Sequence, residues 1–101
     1  MRKAMFEHEI KILRDTFARL LRRNAHTNLV KLIRKTHPAD LAVVFRYFND
    51  EEQVQVFSIM VDDGQAVEFL VELDDTLIAN LLEDESPERI ATVIQESSAN
   101  D

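Results

Sequence analysis

From residue 37 onward the apolar positions fall into a repeating register. Candidate cap residues His37, Asn49, Asp62, Asp74 and Ser86 are spaced by 12, 13, 12 and 12 residues. Four residues after them stand Leu41, Gln53, Ala66, Ile78 and Ile90; seven after, Val44, Val56, Phe69, Leu81 and Val93. Eight after come Phe45, Phe57, Leu70, Leu82 and Ile94, and eleven after, Phe48, Met60, Leu73, Glu85 and Ser97. These offsets share one face of an α-helix. The chain is therefore expected to form five short helices of about a dozen residues, each burying one stripe. Phe45, Phe48, Phe57 and Phe69 fall on the stripes and are expected in the core. Val54, Val67, Ala79 and Ala91, five residues after the caps, widen the stripe toward inter-helix packing.

Cap chemistry supports the register. His37-Pro38 and Ser86-Pro87 pair a polar residue with a proline whose fixed φ suits the first helical turn. Asn49 with Glu52, and Asp62 with Gln65, have the spacing of a capping box. Gly64 then falls inside a helix start as a tolerated first-turn residue. Two such helices make a unit of about 25 residues that buries its apolar faces only by stacking on its neighbours, which predicts an all-α solenoid. The pattern fades where Glu85 and Ser97 replace apolar residues, and residues 98–101 read as a frayed, disordered tail.

The first 23 residues differ. Met1, Phe6, Ile10, Leu13, Phe17, Leu20 and Leu21 recur every three or four positions, giving a longer amphipathic helix with a basic polar side. Arg22 and Arg23 occupy its last turn, where cations oppose the negative end of the helix dipole. A short helix over about 27–35 follows, with Leu29, Val30, Leu32 and Ile33 apolar and Thr27 as its expected cap.

Composition narrows the class. At 101 residues, 46% hydrophobic and 31% charged, the chain has the balance of a soluble globular domain, and one Gly with two Pro leaves little material for hairpins. With no cysteine, disulfides, thiolate nucleophiles and cysteine-bound zinc are excluded. The chain fits a reducing cytoplasm without demanding it. No apolar run approaches the roughly 20 residues that span a bilayer, so direct membrane insertion is not expected. Glu7, Glu9 and Lys11 stand where a signal peptide would be apolar.

Charge is partitioned along the chain. Residues 1–36 hold ten Lys/Arg against three Asp/Glu, whereas residues 37–101 hold two against sixteen. Nucleic acid would be repelled by the second part. The split points instead to a protein surface, to a second copy of the chain, or to cations. The basic helix leaves several roles open: a solvated face, packing on its own solenoid, exchange within a homodimer, or contact with a partner or with anionic headgroups.

The acidic pairs Asp50/Glu51/Glu52, Asp62/Asp63, Asp74/Asp75 and Glu83/Asp84/Glu85/Glu88 admit two readings. Acids at helix starts stabilise by capping, whereas a collective acidic face with Asp62, Asp63, Glu72, Asp74 and Asp75 would form a loose surface for hard divalent cations. His8, His26 and His37 lack partners at ligand spacing. No nucleophile elbow, phosphate loop or HExxH motif is present, so an enzyme is not expected.

HPADLAVVFRYF followed by NDEEQ, then AVEFLVELD, then SPERIATVIQES, resembles the N-terminal cytosolic domain of MgtE-type magnesium transporters over residues 24–97. HPADL is the most specific part; the looser repeats are also similar to the solenoid of the flagellar motor protein FliG. The resemblance implies a right-handed superhelix placed before a pair of CBS domains and the membrane pore, on the cytosolic face of the inner membrane. It implies a Mg²⁺ sensor in which cations bridge acidic surfaces of this domain and the CBS domains and the pore closes. The family's interface acid on the AVEFL helix corresponds to Glu68. This chain contains no CBS segment and no pore, and it ends where a further acidic repeat is expected. The expected organisation is a basic helix over 1–23, the repeat domain over 24–97 and the tail. The competing expectation is an ion-independent, FliG-like scaffold for a protein partner.

Overall fold

Asn49 makes the clearest local start in the chain. Its side chain accepts from the Glu52 backbone N–H at 2.8 Å while Glu52 accepts from the Asn49 N–H at 2.9 Å, a complete capping box. In the computed structural model, which describes residues 6–83 and 85–99, this box opens the fourth of seven described helices. They are α1 (Glu7–Arg22), α2 (His26–Lys35), α3 (Pro38–Phe45), α4 (Asp50–Asp62), α5 (Ala66–Leu70), α6 (Asp75–Glu83) and α7 (Pro87–Ala99). The described residues contain no strand. Met1, Asp84, Asn100 and Asp101, named in the sequence reading, lie outside the described residues.

The other expected caps of the repeating register hold with one exception. His37 Nδ1 accepts from the Ala39 N–H at 3.0 Å, Asp74 Oδ1 from Leu77 at 2.8 Å, and Ser86 Oγ from Arg89 at 3.3 Å. Asp62 starts no helix: it is the last residue of α4. Beyond it Gly64 takes φ +73°, the Gly64 N–H returns to the Val61 carbonyl and the Gln65 N–H to that of Met60. That pair of bonds is a Schellman stop, which glycine adopts without a Cβ penalty. Gly64 is thus a helix terminator and not a first-turn residue. The chain needs this stop before α5 can begin, and α5 is left with only five residues.

The same device ends α1, where Asn24 takes φ 53° and Ala25 bonds back to Leu20. It sets the start of α2 at His26, one residue before the expected helix, with Ala25 as a cap position that makes no side-chain bond. Thr27 therefore lies inside the helix and caps nothing. Element lengths from 5 to 16 residues replace the uniform dozen, because turns at 46–48 and 71–73 take up part of the third and fifth segments.

Packing follows the next helix but one. α1, α3, α5 and α7 form one row of consecutive contacts, and α2, α4 and α6 a second. Contact at this interval is what stacked helical repeats produce. α4 also touches α1, α5 and α7, drawing the rows into a body with a radius of gyration of 13.2 Å.

The core runs through both rows. Phe17, Phe45, Phe57, Phe69, Val44, Val56 and Met60 are almost fully buried. The Phe45 ring meets Phe69 at 4.9 Å between centroids and Phe48 at 5.7 Å, and Phe48 meets Phe17 at 5.5 Å, all edge-on. This edge-to-face series ties α1, α3 and α5 together; each fully buried phenylalanine contributes about 1.5–3 kcal/mol from burial alone. Gln53, polar in an apolar column, donates its side-chain amide to the Phe45 carbonyl at 2.9 Å and so satisfies the end of α3. The stripes weaken toward the C-terminus. Ile94 is 60% exposed, and Ala79 and Ala91 are exposed where inter-helix packing was expected.

Candidate functional site

Asp62 and Asp63 sit where carboxylates are least welcome, at the negative end of the α4 dipole. Two arginines from distant helices offset this. Arg34, in the last turn of α2, donates Nε to Asp63 Oδ2 at 2.9 Å and Nη2 to Oδ1 at 2.5 Å, a two-point fork. The Gln65 amide adds a bond to Asp63 at 3.1 Å. The Arg34 hydrogen bonds hold the Asp63 carboxyl below the usual carboxylate range against the opposing effect of burial, and Asp63 in turn pushes Arg34 up.

Arg89, at the start of α7, is the second anchor. Nη1 donates to Asp62 at 2.6 Å, Nη2 to the Ser58 carbonyl at 2.6 Å and Oγ at 2.9 Å, and Nε to Glu85 at 3.1 Å. The hydrogen bond to Asp62 is the main reason that its pKa is raised. Both acids of the Asp62/Asp63 pair are thus already neutralised from within the fold, and neither is a free carboxylate.

A different set of acids is open. Glu68 on α5, Glu72 just after it and Asp75 at the start of α6 are exposed, with no ion pair or side-chain hydrogen bond among the described residues. Asp74 is committed to capping α6. Glu68 is held in place indirectly: Glu96 Oε2 of α7 accepts from the Val67 N–H at 3.0 Å, supplying the start of α5 with the cap that Gln65 does not provide. Glu96, absent from the sequence reading, is therefore the positioning residue of this short helix.

As ligands, the open acids offer hard carboxylate oxygens suited to Mg²⁺, whereas Asp62 and Asp63 do not fit that role while their arginines hold them. Among the described residues no three His, Asp or Glu side chains converge as a metal-binding group. The exposed acids can supply one or two oxygens each to an ion whose remaining ligands are water or a facing surface.

Residues 36–101 match the family model described as the MgtE intracellular N domain. The chain belongs to that family. The match begins at Thr36, immediately before the His37-Pro38 start of α3, so α1 and α2 precede it. Neither a curated protein nor a solved structure gave a significant match. The MgtE N domain is a domain of magnesium transporters. Among the described residues no helix is long and apolar enough to cross a membrane.

Proposed function

We propose that this MgtE N domain is a cytoplasmic regulatory module that contributes half of a Mg²⁺-responsive interface, its exposed acids facing an acidic surface of CBS domains in the same transporter. Family membership supports the reading, and the observation that carries it is the division of the acids into two classes. Asp62 and Asp63 are neutralised by Arg89 and Arg34, whereas Glu68, Glu72 and Asp75 stay open. An open carboxylate facing another repels it until a divalent cation intervenes, so association becomes a function of Mg²⁺ concentration. Closure of the pore would follow from whichever arrangement the bridged interface stabilises.

The test is binding of the chain to the CBS pair of an MgtE-type transporter, measured by calorimetry in millimolar MgCl₂ and in NaCl of equal ionic strength. Tighter binding in MgCl₂, reduced in Glu68→Gln, is the expected result. An equal response in the two salts would contradict Mg²⁺ sensing and favour an ion-independent scaffold. That second reading draws on the same arginine forks, which lower the free negative charge on the α4 end.

A further inference from the structure

α1 and α2 begin the two rows of the stack, so each keeps one side turned away from the later helices. On α1 that side lies opposite the buried Phe17 and Ala18, and at helical spacing it carries Ile12, Arg19, Arg22 and Arg23. On α2, opposite Leu29 and Ile33, it carries Lys31 and Lys35. All five cations are exposed, and Ile12, two turns before Arg19, is 62% exposed. Two nearby arginines are already committed, Arg14 to Asp15 and Arg34 to Asp63. Arg19, Arg22, Arg23, Lys31 and Lys35 make no ion pair among the described residues. Acids are sparse on this side. Asp15 is held by Arg14, Glu7 and Glu9 stand in the first turn of α1, at the other end from Arg22, and α2 has none.

We propose that the α1–α2 end of the stack is a peripheral docking surface for a membrane rich in anionic headgroups, with Ile12 entering the headgroup boundary. Lipid phosphates diffuse laterally and gather under separate cations, so no fixed array of complementary acids is required. Ile12 separates this partner from nucleic acid. A phosphate backbone offers nothing apolar to cover it, whereas the boundary between headgroups and acyl chains does. The sixteen acids after residue 36 do not forbid the contact. Their helices follow the two basic ones in the stack, and the fold extends 36 Å along its longest axis against a Debye length of about 8 Å at physiological salt. Charge at the far end is therefore screened, and the repulsion that remains turns the basic end toward the surface. Membership in a family of magnesium-transporter domains brings such a surface within reach of a bilayer. Neither Mg²⁺ nor Glu68 takes part, so the contact is independent of the proposed ion response.

Co-sedimentation of the 101-residue chain with vesicles tests this, using phosphatidylcholine alone or mixed with phosphatidylglycerol, without divalent cations, in NaCl of about 0.1 M and above. Binding is expected only with phosphatidylglycerol, and it should weaken as salt rises. Arg22→Gln, Lys31→Gln and Lys35→Gln should each reduce it by about fivefold. Ile12→Ser should weaken it as well, whereas Arg46→Gln, which removes an exposed cation after α3 and outside this face, should leave it unchanged. Thermal melts establish that each variant is folded. Several results would overturn the proposal: vesicles with phosphatidylglycerol left unbound at the lowest salt, equal binding to pure phosphatidylcholine, Ile12→Ser bound like the wild type, or Arg46→Gln as damaging as Lys31→Gln. Vesicles left unbound while poly-glutamate is retained would give the face to an acidic protein instead.

Discussion

Arg34 in the last turn of α2 grips Asp63, 29 residues away, with two nitrogens at once, Nε at 2.9 Å and Nη2 at 2.5 Å. The fork joins the end of α2 to the end of α4 and converts an unfavourable acid at a helix C-terminus into a tie between helices. A carboxyl whose folded pKa is depressed contributes stability above its unfolded value of about 3.9 and loses it as pH falls through the folded value. Arg34→Gln should therefore lower the urea midpoint at pH 7. Wild type and variant should converge as the pH falls through the lowered folded pKa of Asp63, where the carboxyl becomes protonated in both. A difference that persists unchanged at low pH would show that the loss comes from packing and not from the ion pair.

Arg89 carries more than one bond, so its removal should cost more than a surface pair. Arg89→Met keeps most of the aliphatic volume but leaves the Ser58 carbonyl and the nearly buried Glu85 carboxylate without their donor. The expected destabilisation is about 1–3 kcal/mol in urea unfolding. Arg89→Lys should recover only part of it, because a single ammonium cannot reach Asp62, Ser58 and Glu85 together. A loss below about 0.5 kcal/mol for Arg89→Met would mean that α7 is anchored by other contacts.

The two Schellman stops separate backbone cost from side-chain cost. A Cβ added at Gly64 meets nothing within 4 Å, yet φ is +73° there. Gly64→Ala should thus destabilise by about 1 kcal/mol through backbone conformation alone. Asn24→Gly, at φ 53°, should change stability by less than about 0.5 kcal/mol, since Asn already tolerates this region. Urea midpoints of the two variants check both values.

Local chemistry was legible in the sequence, and long-range pairing was not. His37, Asn49, Asp74 and Ser86 cap their helices because a cap depends on three or four consecutive residues. The buried faces of α3 and α4 follow from the same short-range periodicity. Asp62 was misread because a cap and a C-terminal stop compete over the same few residues, and Gly64 in the left-handed region decides for the stop. No local signal paired Arg34 with Asp63, Arg89 with Asp62, or Glu96 with the start of α5, across 29, 27 and 29 residues. Those partners depend on how the rows stack, so the acids that remain open could not be sorted from those already paired. Ile94 was misplaced for a related reason: periodicity gives a face, but only neighbouring elements determine whether it is covered.

The division between open and paired acids can be mapped with Mn²⁺, a paramagnetic cation that shares the preference of Mg²⁺ for carboxylate oxygen. Titrating Mn²⁺ into the ¹⁵N-labelled chain and following amide broadening reports where a hard divalent cation resides. The amides around Glu68, Glu72 and Asp75 should broaden first, excess Mg²⁺ should reverse the effect, and the amides of Asp62 and Asp63 should be among the last acids affected. Broadening centred on Asp62 and Asp63, or spread evenly over all acidic residues, would contradict an ion-responsive surface built from the open carboxylates.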